Sequence, residues 1–206
     1  MESLIVKGGW VMGPIIAASV VALALVLERI WFFWGIALDT ERFAKQVFTL
    51  TEIGDGREAS ELCSRTTHPI AAVFQAGLEH ASEDAAELER VMEREGNRQV
   101  MSTEKNLNFL MVVVGILPLM GFLGTILGLI QAFMAWEKLG ASVTVSALAS
   151  GIYQAMITTA AGLIFAIPYF VIYHVFLSHV ARIAADLNHY GDEFVSVLVK
   201  AQKRKK

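Results

Sequence analysis

Three stretches of this chain run without formal charge for long enough to cross the hydrocarbon core of a bilayer, which takes about 20 apolar residues. The first is Gly8–Leu27, interrupted by Glu28 and Arg29 and resumed as the apolar and aromatic segment Ile30–Leu38. The second is Asn106–Trp136. The third starts near Gly140 and meets no charge before Arg182. Composition agrees: of 206 residues 55% are hydrophobic and 18% charged, with a mean hydropathy of +0.52. The pattern predicts an all-α integral membrane protein with three transmembrane helices and argues against an ordinary multidomain soluble enzyme. A cleaved leader is the competing reading of the start, since Lys7 precedes an apolar run and Ala22-Leu23-Ala24 resembles a small-residue cleavage site. Apolar sequence continues through Trp31, Phe32, Phe33 and Trp34, which suits a retained helix with an aromatic interfacial belt.

Charge placement sets the expected orientation. Of 17 Lys/Arg, nine fall between Glu28 and Lys105 and six from Arg182 onward, leaving Lys7 and Lys138. The positive-inside rule then puts the loop and the basic tail in the cytoplasm and the N-terminus outside, with the short tail the weightier indicator because the stretch from Glu28 to Lys105 also holds 15 acids. The expected segments are 1–38 (outer end and first span), 39–105 (helical loop), 106–136 (second span), 137–143 (short outer turn), 144–181 (third span) and 182–206 (C-terminal helix and tail). So small an outer turn offers little surface to a substrate, so function is expected within the bilayer or below it. The basic tail reads as a membrane-flanking anchor, in contact with lipid and not with nucleic acid.

The loop has helical signals. Asp55-Gly56 marks a turn, Arg57–Arg65 has helical composition, and His68-Pro69 marks a helix start with proline near its first position. No proline follows before Lys105, and the interleaved charges from Glu83 to Arg98 suit a solvated helix face. This predicts one helix running on into the second span, and long cytoplasmic helical extensions with Arg182–Lys200 packed alongside. A structural stalk is preferred to a catalytic domain. Cys63 is the lone cysteine and reads as a small buried residue. No Cys/His constellation has metal-ligand spacing, no Gly-rich phosphate loop appears, and neither Cys63 nor His68 has triad context, so no metal, cofactor or catalytic residue is expected.

Polar and small residues inside the spans are the informative ones. Pro118, Gly121, Gly124, Thr125 and Gly128 fall on one stripe of the second span, continued by Ala132. In the third, Ala147, Gly151, Ala155, Thr158, Gly162 and Ala166 recur at three- and four-residue steps. Such stripes let helices approach closely. Gln154 and Thr159 lie about 140° apart on a helical projection, so they cannot face the same neighbour. One arrangement gives one of them an adjacent subunit and the other a central cavity; packing glue between helices is the competing explanation. The cores of the second and third spans hold no Asp, Glu, Lys or Arg. If protons are handled, the titrating group must belong to a partner helix.

The run Leu117–Phe133, LPLMGFLGTILGLIQAF, and the run Gly151–His174, GIYQAMITTAAGLIFAIPYFVIYH, with Pro168 inside it, closely resemble the second- and third-span signatures of the MotA/TolQ/ExbB proton-channel family. Three spans favour the ExbB and TolQ branches over MotA, whose members have four. The resemblance implies a homopentamer in the bacterial inner membrane enclosing the helices of an ExbD- or TolR-like single-span partner. It further implies that an intramembrane aspartate of that partner takes up and releases the proton, that flow down the gradient drives rotation of one component within the other, and that this motion passes to a TonB- or TolA-like transducer. It also implies that Thr125 and Thr159 line the pore beside that aspartate. A sodium-driven variant, a TolQ-like role in envelope maintenance and a scaffold with a lost ion path are the alternatives. Two positions depart from the family: Gln154 stands where glutamate is usual and His174 where asparagine is. An amide does not exchange a proton near neutral pH, which puts any relay through position 154 in doubt. It still donates and accepts hydrogen bonds, as a gate or a subunit contact would need.

Overall fold

A computed structural model of the protein describes residues 6–142 and 144–205. The first five residues, Val143 at the end of the expected outer turn, and Lys206 lie outside them. The described residues are all-α, in the order α1 (Met12–Gly35), α2 (Thr40–Glu52), α3 (Gly56–Ser64), α4 (Pro69–Glu79), α5 (Ala85–Thr103), α6 (Leu107–Leu139), a 3-10 turn (Gly140–Ser142) and α7 (Val145–Lys205). The apolar parts of α1, α6 and α7 are each long enough to cross a membrane. The turn between α6 and α7 forms where Gly140 takes a positive φ of 51°, a conformation glycine adopts without a Cβ penalty.

Two compact units emerge, one from Met1–Arg29 with Asn106–Val175 and the other from Ile30–Lys105 with Phe176–Lys206. In the first, α6 and α7 run antiparallel in constant register. A Cβ placed on Gly162 would lie 2.7 Å from the Leu117 carbonyl oxygen, one on Gly121 3.0 Å from that of Thr158, and one on Gly128 2.6 Å from that of Gly151. The steps 117, 121, 128 on one helix meet 162, 158, 151 on the other. Backbone touches backbone because neither stripe carries bulk, the packing that replaces the hydrophobic effect between helices in lipid. Val11, Ile15, Leu117 and Ala166 form the apolar centre of this unit. Tyr169 ties α7 to α1, its hydroxyl donating to the Ser19 carbonyl at 3.2 Å and lying 3.3 Å from the Ser19 hydroxyl.

The second unit is a helical bundle whose centre is aromatic. Phe43 and Phe48 of α2, Phe74 of α4 and Phe194 of α7 pack with ring centroids 4.6–6.1 Å apart. Its helices start at side-chain caps: Asp39, Asp55 and Asp84 each accept a backbone N–H three residues on, satisfying one of the donors a first turn leaves orphaned. Gln202, near the end of α7, donates to the carbonyls of Ala81 and Glu83, closing the turn before α5. Cys63 is buried, as expected, and burial pushes its thiol up to about 12.

The single helix expected from Pro69 into the second span is broken twice. The first break is the turn His80–Asp84 between α4 and α5, and the second lies at Glu104–Asn106. Asn106 adopts φ 69°, a left-handed conformation that asparagine tolerates better than most residues. Its side-chain amide leaves its own helix start uncapped and donates instead to Glu28 at 3.4 Å. Glu28 in turn accepts two bonds from the buried Arg29, at 2.6 and 2.5 Å. The charged interruption of the first apolar stretch is thus a neutralised pair, a form in which a guanidinium tolerates burial.

Candidate functional site

The site is assembled in the first unit from two threonines that the α6/α7 register brings face to face. On α6, Gly121 and Gly124 are buried against Thr158 and Thr159. That contact draws the flanking Thr125 to Thr159, their hydroxyl oxygens 3.1 Å apart. Both side chains are half-buried, so the pair sits at the edge of the seam and is reachable from outside the chain.

Hydrogen bookkeeping shows what this pair can do. Each hydroxyl has one proton to give and two lone pairs to offer. Thr125 gives its proton to the Phe122 carbonyl at 2.7 Å. Thr159 has three acceptors within reach: the Gly121 carbonyl across the seam and the Ala155 carbonyl of its own helix, each at 3.2 Å, and the Thr125 hydroxyl. With more acceptors than protons, the Thr159 hydroxyl can rotate between partners and still stay bonded. Both oxygens keep lone-pair capacity for a visiting acid O–H, and rotation frees a donor for a visiting carboxylate. Neither hydroxyl holds charge near neutral pH, so the pair can solvate a proton carrier without itself being one.

Thr158, one residue earlier, faces the seam fully buried and spends its proton on the Gln154 and Ala155 carbonyls, at 3.0 and 2.9 Å. Gly124, Gly128, Gly151, Ala155 and Gly162 are buried along the same seam, Pro118 is half-buried within α6, and Pro168 is exposed within α7. Gln154 and Thr159 do meet different neighbours, but both are segments of the same chain. Gln154 is 8% exposed and packs on the turn before α1, where a Cβ on Gly9 would lie 2.5 Å from its Nε2. Gly9 has φ 70°, so the turn needs glycine for its backbone as well as for this contact. His174 is exposed, its ring edge-on to Phe170 at 4.5 Å and Tyr173 at 5.3 Å.

Sequence reasoning missed the Ser19–Tyr169 tie and the Gly9–Gln154 contact. A tyrosine and a serine in otherwise apolar runs were the available signal for the first. Nothing in the pattern around Gly9 signalled the second, which depends on where the preceding turn docks. Among the described residues, no three His, Cys, Asp or Glu side chains are placed to hold a metal ion.

The profile of the MotA/TolQ/ExbB proton channel family matches residues 65–189, which includes both threonines and the whole α6/α7 seam. A biopolymer transport protein named ExbB-like 1 from Synechocystis sp. is 30% identical over 177 residues, covering 84% of this chain and 68% of its own. The Tol-Pal system protein TolQ of Pseudomonas aeruginosa is 26% identical over 205 residues, covering 91% and 86%. The TolQ of Haemophilus influenzae is 37% identical over 109 residues, covering 53% and 47%.

Proposed function

The chain belongs to the MotA/TolQ/ExbB proton channel family, and from that premise we propose that it is the ring-forming subunit of a proton-driven motor in a bacterial inner membrane. In this reading its copies, five of them, surround the helices of a single-span partner of the ExbD or TolR kind. The partner supplies an intramembrane aspartate, and the motion passes to a TonB- or TolA-like transducer. The loop and C-terminal helix lie on the cytoplasmic side. The observation that carries the proposal is the Thr125–Thr159 hydroxyl pair, 3.1 Å apart and half-exposed, in spans that offer no charge of their own. The subunit provides neutral oxygens, and the partner brings the group that titrates.

The energetics suit this division. A unit charge moving through 100 mV releases about 2.3 kcal/mol, comparable with one or two hydrogen bonds to a charged group. A site that held the carboxylate much more tightly than that would stall. Two rotatable hydroxyls bind weakly and repeatedly, as stepwise rotation requires. Gln154 serves as a gate beside this path, holding the N-terminal turn by packing and, being an amide, passing no proton.

The test is Thr159→Val, which keeps shape and removes the hydroxyl. Reconstituted with its partner, the variant is expected to stay assembled and lose proton flux by at least about tenfold, the equivalent of some 1.4 kcal/mol in the barrier. Flux equal to wild type would refute the role of the pair. The burial of Gln154 against Gly9 favours one second reading, a scaffold whose ion path has been lost. Wild-type flux no higher than that of a complex whose partner lacks its aspartate would select that reading.

A further inference from the structure

The second unit contains a buried titratable group outside the hydroxyl site. His68 is 6% exposed and stands at the N-cap of α4, where its Nδ1 accepts the Ile70 backbone N–H at 3.2 Å and its carbonyl accepts that of Ala71 at 3.0 Å. Pro69, the first residue of the helix, has no N–H to offer. The two first donors of α4 therefore both end on His68. Ile70 is completely buried, so no water can take over its N–H if the imidazole is lost. Accepting at Nδ1 requires the neutral ring with its proton on Nε2. An imidazolium presents N–H at both positions and turns this contact from a bond into a clash of two donors.

The charges bearing on His68 among the described residues are both on α7: Asp186, which favours protonation, and His179, which opposes it. Burial opposes it most strongly and lowers the ring below its ordinary 6.5. His179 is itself placed edge-on to Phe33 at 5.1 Å. What α4 carries makes its anchorage matter. Phe74, nearly two turns beyond the cap, touches Phe43, Phe48 and Phe194 at the centre of the unit.

We propose that His68 is a protonation-sensitive clasp: the neutral ring fixes the start of α4 in the bundle, and the protonated ring releases it and loosens the aromatic centre behind it. Stability from this contact is complete above pH 6.5 and declines as pH falls below that value, because the unfolded chain takes up the proton before the folded one does. With the orientation proposed above, the clasp reads the pH of the compartment into which protons emerge, and it slackens when that side turns acid.

Hydrogen exchange of the full chain in lipid nanodiscs tests the clasp without any measurement of flux, so its outcome is independent of the motor reading. The segment Thr67–Phe74 is followed at about pH 7.5 and about pH 5.5, on either side of the ordinary histidine value, after correction for intrinsic exchange. Wild type is expected to lose protection severalfold at the lower pH. His68→Asn, which caps without titrating, is expected to hold its protection at both pH values, and His68→Ala to be weakly protected at both. The proposal is overturned if wild type keeps its protection at the lower pH. It is equally overturned if His68→Asn loses as much as wild type, or if His68→Ala matches wild type at the higher pH.

Discussion

Gly9 and Gln154 show how much one residue can constrain in this chain. The backbone of Gly9 sits at φ 70° and its α-carbon faces the Gln154 amide so closely that a methyl would lie 2.5 Å from Nε2. Two penalties then separate cleanly. Gly9→Ala is expected to destabilise the protein by about 1–3 kcal/mol, from left-handed strain together with the clash. In the double variant with Gln154→Ala the clash disappears and only the strain of about 1 kcal/mol remains. Thermal unfolding in detergent with both single variants and the double one reads this. Equal losses in Gly9→Ala with and without Gln154 would show that the two do not touch.

At the scale of the helix, the seam between α6 and α7 depends on absence of bulk. Gly128→Leu puts four carbons where 2.6 Å separates the nearest carbonyl oxygen from an ideal Cβ. The helices must part along their length, and since Thr125 lies one turn before Gly128, the 3.1 Å hydroxyl contact opens with them. A loss of the folded hairpin is expected, at a cost above the 1–3 kcal/mol typical of overpacking because backbone, not a mobile side chain, stands in the way. Proteolysis or a cysteine crosslink across the seam reads it, and a leucine variant with wild-type crosslinking would contradict the close packing. This seam was legible in the sequence: small residues at three- and four-residue steps on both spans named nearly every residue that now lines it. The turn at Asp55-Gly56, the helix start at His68-Pro69 and the turn at Gly140 were legible for the same reason, as local rules acting on local residues. The break at Asn106 was not. Neither proline nor glycine marks it, and its left-handed conformation goes with a bond to Glu28, 78 positions away. The Gly9–Gln154 and Ser19–Tyr169 contacts escaped for the same reason, since they join segments about 150 positions apart whose meeting no periodicity encodes.

For the whole molecule, the two units have different chemistries of cohesion. One is held by backbone proximity and a few satisfied hydroxyls in apolar spans, the other by a cluster of four phenylalanines and a set of helix caps. Phe74→Ala should therefore weaken the second unit by about 3–5 kcal/mol, seen as faster hydrogen exchange in α2, α4 and the end of α7, while exchange in the α6/α7 seam stays as in wild type. Equal loosening in both units would mean that the bundle and the spans unfold as one.

In the reading proposed here this chain offers neutral oxygens and takes its titrating carboxylate from another chain, in keeping with second and third spans that carry no Asp, Glu, Lys or Arg. The most direct test of that reading is proton flux into liposomes under a fixed potential of about 100 mV, compared between this chain alone, this chain with its partner, and this chain with a partner whose intramembrane aspartate is replaced by asparagine. Flux above lipid leak is expected only in the second case. Flux through this chain alone, or undiminished flux with the asparagine partner, would contradict it.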